Sequence, residues 1–426
     1  MSRYLNSEIW LKRAEETIPL GSQTFSKSRT QYPVGISPLY ISRAKGATVT
    51  DLDGNSYVDL VSALASVTLG YKDRGVDDAI KKQLRKGISY SLPGKLESEV
   101  SEKLVEMIPS AEMVRFGKNG SDATSAAIRI SRAYTGRDHV AVCGYHGWQD
   151  WFIGSTTRNK GVPKEVSGLT HIFQYNDIQS LEALLSSHQI AAVILEPMNV
   201  SFPDKDFLFR VKEVSHKYGA VLIFDETITG FRFSAGGAQE LFGITPDLST
   251  FGKGIANGMP LSAIVGCRDI MMEMENVFFS GTFGGELLSL AAAKHVIGRV
   301  QAGEVIGRLE SIGRALSNKV EAVIKSNNLS DTLSLSGHDT WRFLNWRESN
   351  GYSQSEIKTY FMQEMFNAGV LVLSSHNISL AHKSRVLRKL EVGYEIALSN
   401  LRKVMDAGNL RENLLVEPLE PLFKVR

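Results

Sequence analysis

Short apolar runs alternate with amphipathic stretches along most of this chain. The runs are dense in Val, Ile, Leu and Phe, which is typical of strands that helices cover on both faces. We predict buried strands at residues 113–116, 139–143, 191–195, 221–225 and 262–267. Helical periodicity predicts helices at residues 96–107, 123–134, 207–218, 288–299 and 306–324. The alternation of the two patterns predicts an α/β fold.

The two ends of the chain follow a different pattern. An Asp53-Gly54 pair breaks the strand-like run that begins at Ala47, which predicts a β-hairpin. After about Glu304 a long helix leads into strand-like segments at 340–346 and 370–373, followed by a helical tail. We therefore predict an N-terminal segment, a large domain and a small C-terminal α+β domain at residues 1–55, 56–304 and 305–426.

The composition restricts the class of protein. The 426 residues suffice for two or three domains with a large core. Interspersed basic and acidic residues, 48 and 46 in number, give a net charge of +2, which argues against binding nucleic acid or an anionic membrane. No apolar run approaches the ~20 residues of a membrane helix. Cys143 and Cys267 lie in apolar runs without metal-ligand spacing, so we expect a cytoplasmic protein without a metal site.

Lys253 lies between two glycines, 28 positions after the carboxylate of Asp225. A carbonyl cofactor such as pyridoxal phosphate needs an amine to hold it as a Schiff base, and glycines let the backbone come close. Asp225 ends an apolar run, where it could keep a pyridine nitrogen protonated. On its own, however, such a lysine is more often a solvated loop residue, and such an aspartate is commonly a helix cap.

A polar glycine turn joins the predicted strand at 113–116 to the helix at 123–134. The free N–H groups of a first helical turn and the positive end of the helix dipole attract anions, and Ser121 adds a hydroxyl. Gly120 and Ser121 therefore predict a site for a cofactor phosphate. The alternative is a plain helix N-cap.

Two side chains near predicted strand ends offer contacts for a ring. Tyr145 follows the strand at 139–143, where its ring can stack on a pyridine. Thr227 is two residues beyond Asp225, so a continued strand directs both side chains the same way. The alternatives are that Tyr145 and its neighbour His146 are core or loop residues and that Thr227 is a simple strand-end threonine.

Several segments, in order, resemble those of class III pyridoxal-phosphate-dependent aminotransferases and, within that family, the glutamate-1-semialdehyde aminomutase branch. They are Met-Val-Arg-Phe (113–116), Asn-Gly-Ser-Asp-Ala (119–123), Ala-Tyr-Thr-Gly-Arg-Asp (133–138), Tyr-His-Gly (145–147), Ile-Leu-Glu-Pro (194–197), Phe-Asp-Glu-Thr-Ile-Thr-Gly-Phe-Arg (224–232), Thr-Pro-Asp-Leu-Ser-Thr-Phe-Gly-Lys (245–253) and Gly-Thr-Phe-Gly-Gly-Glu (281–286). The resemblance implies fold type I, with a large, mainly parallel seven-stranded domain and a small α+β domain from the chain ends.

Matched residue by residue, the resemblance implies a complete pyridoxal phosphate site. Lys253 would form the Schiff base and Asp225 would pair with the pyridine nitrogen. The other cofactor residues would be Gly120 and Ser121 at the phosphate, Tyr145 on the ring, Thr227 where the family more often has Val, and the nearby His146 and Glu196. Thr282 matches a residue that reaches the phosphate from the neighbouring subunit, which implies a homodimer with the active site at its interface.

Three departures from the aminomutase pattern lie around the expected substrate. The aminomutase's Ser-Pro-Val-Arg is replaced by residues 24–27, so Lys27 stands where an arginine takes the substrate carboxylate, and a lysine lacks the bidentate fork. The long, mobile lid that retains the aminomutase intermediate is shortened to residues 148–163. An acidic residue is lost within residues 374–378.

The departures favour an aminotransferase that releases its intermediate. We expect transfer of an amino group from an amino-acid donor such as L-glutamate to a carbonyl acceptor, a keto-sugar or a nucleotide-sugar. The predicted substrate residues, all polar or aromatic, are Thr24, Lys27, Trp148, His376 and Asn377, with Phe25, Ser26, Gln149 and Trp151 beside them. The alternative for the aromatic residues is packing at a domain junction.

Three other functions stay open from the sequence. An aminomutase would shift the amino group within one substrate and would need no second one. A decarboxylase or racemase would release carbon dioxide or lose stereochemistry without consuming a keto acid. A noncatalytic protein would keep the fold as a ligand sensor or scaffold and would fail to bind pyridoxal phosphate.

Overall fold

The computed structural model describes residues 3–420. The strands are β1 (Ile41–Lys45), β2 (Thr48–Asp51), β3 (Ser56–Asp59), β4 (Met113–Gly117), β5 (His139–Cys143), β6 (Thr170–Ile172), β7 (Ile190–Leu195), β8 (Val221–Asp225), β9 (Leu248–Phe251), β10 (Ser262–Gly266), β11 (Leu333–His338), β12 (Trp341–Trp346), β13 (Val370–Leu371) and β14 (Ser375–Asn377).

The α-helical segments of the same range are α1 (Leu5–Glu15), α2 (Ser62–Ala65), α3 (Arg74–Leu84), α4 (Lys95–Met107), α5 (Gly120–Thr135), α6 (Asp150–Ile153), α7 (Lys164–Ser167), α8 (Ile178–Ser187), α9 (Phe207–Lys217), α10 (Ala238–Phe242), α11 (Arg268–Met271), α12 (Leu287–Gln301), α13 (Ile306–Ser326), α14 (Gln354–Asn367) and α15 (Ser384–Asp406). Among these helices, none combines the length and apolarity needed to cross a bilayer.

Contacts within the chain divide residues 3–420 into two units. The first unit contains residues 3–64, 69–72 and 308–420, and the second contains residues 65–68 and 73–307. The domain boundaries predicted from the sequence, after residues 55 and 304, stay a prediction.

The second unit is built around a seven-stranded sheet of order β4-β10-β9-β8-β7-β5-β6. β10 runs antiparallel to both of its neighbours, and the other neighbouring strands are parallel. The mainly parallel sheet expected from the sequence is therefore confirmed. The sequence pattern missed β6, which has only three residues, and β9, in which two polar residues interrupt the apolar run.

Successive residues of the central strands alternate between two hydrophobic clusters. On β8, Val221 and Ile223 belong to the cluster that contains the buried residues of α5, whereas Leu222 and Phe224 belong to the cluster of α8 and α9. Burying one such side chain stabilises a fold by about 1.5–3 kcal/mol, so the register of the strand is strongly fixed. The same alternation directs Asp225, the last residue of β8, and the residue that follows it to opposite faces of the sheet.

α5 begins directly after β4, at the predicted phosphate turn. The carboxylate of Asp122 accepts hydrogen bonds from the N–H groups of Lys118 and Asn119 at 2.9 and 2.8 Å, which closes the turn. Gly136 ends the helix with a φ of 66°. Gly120 thus lies at the N-terminus of a sixteen-residue helix.

The first unit contains two smaller sheets. One has the order β1-β2-β3-β13 and the other β11-β12-β14. β2 and β3 form the predicted hairpin, with Gly54 at a φ of 86° in the turn. Phe361 of α14 packs between Trp346 of β12 and Tyr394 of α15, with ring centroids 4.8 and 5.6 Å apart. Aromatic packing therefore joins this small sheet to the helices of the first unit.

Candidate active site

Five strands of the second unit point their carboxyl ends to one edge of the large sheet. β4, β5, β7, β8 and β9 all run in the same direction, and open α/β sheets bind ligands at this edge. The predicted cofactor residues at or just beyond these strand ends are Gly120 and Ser121, Tyr145 and His146, Glu196, Asp225 and Thr227, and Lys253. The topology therefore collects residues that are far apart in sequence.

Asp225 is 5% exposed, and its carboxylate accepts hydrogen bonds from three residues. Oδ2 lies 2.9 Å from Nδ1 of His146, while Oδ1 accepts from the N–H and hydroxyl of Thr227 and from the hydroxyl of Thr250 at 3.1, 2.5 and 3.0 Å. Burial alone would raise the pKa of Asp225, but these partners and the charge of Lys253 lower it below its ordinary value. Asp225 therefore stays ionised and can balance a protonated pyridine nitrogen.

His146 lies between two hydrogen-bond acceptors. Its Nδ1 faces Asp225, and its Nε2 lies 3.1 Å from the carbonyl oxygen of Cys143. Because both partners are acceptors, both bonds form only when both ring nitrogens carry a proton. The imidazole lies nearly parallel to the ring of Trp151 and edge-on to Phe152. This packing fixes His146, which in turn orients the carboxylate of Asp225.

Glu196 is a second buried carboxylate at this edge. The side-chain amide of Asn199 donates a hydrogen bond to its Oε2. Burial, together with the negative charge of Asp225, raises the pKa of Glu196 to about 7, against the opposing charges of His146 and Lys253. Two carboxylates whose pKa values move in opposite directions are typical of a catalytic site.

Lys253 has a φ of 40°, in the left-handed region where non-glycine residues are strained. Burial lowers the pKa of Lys253, the charges of Asp225 and Glu196 act in the opposite direction, and the charge of Arg232 lowers it further. A lowered pKa increases the fraction of neutral amine at neutral pH, which is the form that attacks a carbonyl.

Two glycines lie against the side chain of Thr227. A Cβ at Gly120 would lie 2.9 Å from Cγ2 of Thr227, and a Cβ at Gly252 would lie 3.2 Å from the same atom. Larger residues at either position would push the first turn of α5 or the Lys253 loop away from Thr227. The β-branched side chain and the two glycines therefore fit one another.

Ser121 meets the loop that follows β5. Its hydroxyl oxygen accepts a hydrogen bond from the N–H of Trp148 at 3.3 Å. Gly147 has a φ of 112°, and a Cβ there would lie 2.3 Å from Oγ of Ser121. The helix N-terminus, the hydroxyl and the missing side chain of Gly120 form a cradle that a Cβ would fill, and its chemistry suits a phosphate.

Tyr145 and Thr282 are predicted cofactor residues with exposed side chains. Tyr145 packs edge-on against Phe152, with ring centroids 5.5 Å apart. Partial burial raises the pKa of Tyr145, and the charges of Asp225 and Glu196 add to this effect. Thr282 lies at the surface between β10 and α12.

The predicted substrate residues are divided between the two units. Trp148 belongs to the second unit, where its ring is exposed. Thr24 and Lys27 belong to the first unit and line a cavity of about 530 Å³. They share its lining with the buried carboxylate of Asp59 and with Tyr71, whose hydroxyl donates to Asp59 at 2.6 Å.

His376 and Asn377 are buried by contacts inside the first unit. Nε2 of His376 lies 2.5 Å from the hydroxyl of Tyr394, and burial lowers the pKa of His376 to about 3. The side-chain amide of Asn377 donates to the carbonyl of Val61 at 2.8 Å. These contacts account for both residues without a substrate, and their substrate role stays a prediction.

Three polar residues join the site that the sequence had not assigned. Thr250 hydrogen-bonds Asp225 because β8 and β9 pair these two residues in register. The side-chain amide of Asn199 donates to the carboxylate of Glu196. Arg232 is a fully buried cation whose charge lowers the pKa of Lys253. Thr250 and Arg232 lie inside segments that had been singled out, but only the strand register and the fold show what they contact.

Residues 31–391 match the family model described as Aminotransferase class-III. The chain belongs to the class-III aminotransferase family. The resemblance inferred from the motifs is thereby confirmed, and its order along the chain agrees with the span of the match.

Two relatives match this class-III chain over nearly all of its length. The 3-aminobutyryl-CoA aminotransferase of Cloacimonas acidaminovorans (strain Evry) is 31% identical over 406 residues, which cover 92% of this chain and 97% of the relative. The glutamate-1-semialdehyde 2,1-aminomutase of Aquifex aeolicus (strain VF5) is 32% identical over 413 residues, which cover 90% of this chain and 97% of the relative.

A solved relative has the same architecture. The FumI protein of Sphingopyxis sp. MTA144, in its PLP internal aldimine form, aligns with a TM-score of 0.87 and 26% identity, covering 95% of this chain and 98% of that one. Fold type I is therefore confirmed. Pyridoxal phosphate is the cofactor of the class-III family. The residues present fit it, since an ionised carboxylate, an amine of lowered pKa and a glycine cradle meet at one edge of the sheet.

Proposed function

We propose that this class-III chain is an aminotransferase. It takes an amino group from an amino-acid donor, L-glutamate, and delivers it to a carbonyl acceptor, a keto-sugar or a nucleotide-sugar. The observation that carries the choice of aminotransferase is the packing of the segment after His146, where the aminomutase branch has its long lid.

That segment is anchored in the core of the second unit. Trp151 and Phe152 of α6 are 7% and 0% exposed and belong to the hydrophobic cluster of α5. Nε1 of Trp151 donates to the hydroxyl of Ser125 at 2.9 Å, and its carbonyl accepts from the hydroxyl of Thr170. These contacts hold α6 in the core, so less of the segment is left to cover a retained intermediate. An open site suits an aminotransferase, because one keto acid must leave before the second substrate enters.

Each residue of the site has its own role in the reaction. Pyridoxal phosphate, when bound, supplies an electron sink for negative charge at the substrate Cα. Lys253 Nζ would be the base that accepts the Cα proton, and its lowered pKa increases the fraction of neutral amine that can do so. Asp225, ionised and fixed by His146 and Thr250, keeps the pyridine nitrogen protonated. Because the pKa of Glu196 is raised to about 7 and that of Asp225 is lowered, Asp225 carries the larger share of the negative charge of the pair at neutral pH.

Polar and flat groups support a hydroxylated acceptor. The exposed ring of Trp148 follows the phosphate cradle and offers a face on which a sugar can stack. In the first unit, the cavity lined by Thr24 and Lys27 offers a hydroxyl and a cation beside the carboxylate of Asp59, which suit the hydroxyl groups of a sugar.

The first experiment is the visible spectrum of the purified holoenzyme before and after addition of L-glutamate, with 2-oxoglutarate measured in the same cuvette. We expect the absorption band of the cofactor to bleach as 2-oxoglutarate appears. Keto-sugars can then be screened as acceptors. A band that glutamate leaves unchanged contradicts glutamate as the donor. Release of carbon dioxide or loss of stereochemistry without a keto acid would replace the proposal by a decarboxylase or racemase.

The aminomutase is the second candidate, because the relative in Aquifex aeolicus is one. Conversion of glutamate-1-semialdehyde to an isomer, at a rate that added keto acid does not change, would favour this candidate over the aminotransferase. A protein that cannot be loaded with pyridoxal phosphate would instead favour a noncatalytic scaffold.

We further propose a cytoplasmic homodimer in which Thr282 reaches the cofactor phosphate of the neighbouring subunit. Phe278 and Phe283, on the same surface segment, are 82% and 60% exposed, which is typical of residues that a partner covers. The free thiols of Cys143 and Cys267 suit a reducing compartment. Light scattering should give twice the chain mass, and Thr282→Ala should weaken cofactor retention. A mixed dimer can also be made from one Thr282→Ala chain and one Lys253→Ala chain. Weakened cofactor retention should then be confined to the site of the Lys253→Ala chain, because that site faces the substituted Thr282.

A further inference from the structure

Three histidines meet at the opposite edge of the large sheet. His139 is the first residue of β5, His171 is the middle residue of β6, and His188 follows the last residue of α8. β5 and β6 are parallel, so this edge carries their amino ends. Since β5 rises about 3.3 Å per residue, roughly 13 Å of strand separates His139 from the loop of Tyr145 and His146.

The fold brings the three side chains to one place. Ala141 pairs with His171 in the parallel register, so their side chains point to the same face. His139 is two residues before Ala141 and points to that face as well. α8 covers this face, because its Leu185 shares a hydrophobic cluster with Ala141. His188, at the end of α8, therefore completes the group.

The ligand nitrogens of the three histidines all lie within 4.8 Å of one another. Nδ1 of His139 is 2.9 Å from Nε2 of His171, and the rings of His171 and His188 stack with centroids 4.0 Å apart. Nitrogens bound to tetrahedral zinc at 2.0–2.1 Å lie roughly 3.3 Å apart, so the group needs shifts on the order of 1 Å to bind an ion. All three side chains are partly exposed, which allows such shifts and gives an ion access from solvent.

The chemistry of the group suits a transition metal. Each of the three imidazoles offers a ring nitrogen to the same small volume, and imidazole binds metal ions through the lone pair of such a nitrogen. Imidazole nitrogens bind zinc, copper, nickel and cobalt in preference to calcium or magnesium. Within residues 3–420, no cysteine or carboxylate joins the group, which leaves a fourth position for water.

We propose that His139, His171 and His188 form a binding site for a divalent transition metal ion, with zinc as its first occupant. The ion joins β5, β6 and the end of α8 at the edge remote from the cofactor. It therefore stabilises the second unit and leaves turnover unchanged. The spacing of 32 and 17 residues resembles no short metal motif, which is why the sequence alone predicted no metal.

The test uses tag-free holoenzyme dialysed against zinc chloride, with bound zinc measured by mass spectrometry. We expect one ion per chain and a rise in the thermal midpoint. His188→Ala and His171→Gln should each weaken zinc binding at least about tenfold and abolish that rise. The matched control is His216→Ala, which removes a partly exposed histidine of the same unit that pairs with Asp247. The pyridoxal phosphate content of each variant reports that it has folded.

The possible results distinguish zinc bound by the three histidines from zinc bound elsewhere. Zinc binding that is lost in both cluster variants and kept in His216→Ala supports the site. Wild-type protein that binds less than one ion per chain overturns it. Binding that both cluster variants retain, or that His216→Ala loses equally, assigns the zinc to other residues. A change in wild-type turnover on zinc removal contradicts the purely stabilising role.

Discussion

Asp225 and Glu226 are neighbours in sequence, yet they belong to two different buried regions. The Asp225 cluster consists of Asp225, His146, Thr227 and Thr250, and the Glu226 cluster consists of Glu226, Thr229, Ala238 and Gln239. Both carboxylates are buried, at 5% and 0% exposure, and both accept several hydrogen bonds. Asp225 is the last residue of β8 and Glu226 directly follows it, so the alternation of side chains along the extended backbone directs the two to opposite sides of the sheet.

The hydrogen-bond partners of Glu226 differ in kind from those of Asp225. Glu226 accepts from the hydroxyl of Thr229 and from the N–H groups of Ala238 and Gln239, the latter two at 2.7 and 2.9 Å. Burial raises the pKa of Glu226 despite these bonds, whereas the imidazole of His146 and the charge of Lys253 keep the pKa of Asp225 low. Burial alone therefore does not make a reactive carboxylate. At Asp225, the imidazole of His146 and the charge of Lys253 outweigh the effect of burial on the pKa.

Lys253→Ala should give the largest effect, because it removes the base on the Asp225 side. We expect turnover to fall roughly 10⁴-fold, and borohydride should no longer fix the cofactor to the chain. Lys294→Ala, which removes a lysine of the same unit that pairs with Glu99, is the control and should behave like wild type. Normal turnover in Lys253→Ala would refute the assignment of the lysine.

Asp225→Asn should come next. The amide keeps the shape of the side chain and removes its charge, so the pyridine nitrogen loses its counter-ion and turnover should fall by at least roughly 10²-fold. Cofactor affinity, measured by equilibrium dialysis, should fall as well. Turnover close to that of wild type would place the reacting group elsewhere.

Glu226→Ala should show that the Glu226 cluster supports stability and not turnover. It leaves the hydroxyl of Thr229 and the N–H groups of Ala238 and Gln239 without their acceptor, which should lower the free energy of unfolding by about 2–3 kcal/mol. Turnover per cofactor-loaded chain should stay near the wild-type value. If turnover falls as far as in Asp225→Asn, the contrast between the two faces is wrong.

Glu196→Gln should give the smallest effect, visible through pH. Its folded pKa of about 7 lies above the ordinary 4.5, so between these values the folded chain binds more protons than the unfolded chain. The contribution of Glu196 to stability is therefore present at low pH and is lost as pH rises through 7. In cofactor-free protein, the difference in unfolding free energy between wild type and Glu196→Gln should change by up to about 2 kcal/mol from pH 5.5 to 7.5, in favour of the variant at high pH. A difference that does not depend on pH would contradict the raised pKa.

In the large sheet, the sequence predicted the strands that are rich in apolar residues and missed β6 and β9, where the apolar run is short or broken. β8 was found because every residue before Asp225 is apolar. β9 was missed because Ser249 and Thr250 are polar, and these are the residues that face other buried polar groups. A strand that serves a site thus weakens the pattern by which strands are recognised.

The cofactor residues were easier to predict than the substrate residues for a related reason. Gly120, Asp225 and Lys253 lie in motifs that resemble those of a family with one cofactor, so the resemblance predicts a role for each of them, and these roles stay predictions. Residues such as His376 depend on packing, and its burial against Tyr394 is not visible in a pattern of types. The histidine group at 139, 171 and 188 shows the same limit, since only the register of β5 and β6 brings it together.

The antiparallel strand β10 also determines when the cofactor site can exist. Ser262 pairs with Gly117, about 145 positions earlier, so β4 has no neighbour on that side until β10 has been made. At 5–20 residues per second, a ribosome needs roughly 7–30 s to add that stretch. During this time β4, which precedes the turn at Gly120, has an unpaired edge and is not joined to the strands that position Lys253. The nascent chain therefore cannot use cofactor binding to stabilise its early intermediates, and loading with pyridoxal phosphate must follow the insertion of β10.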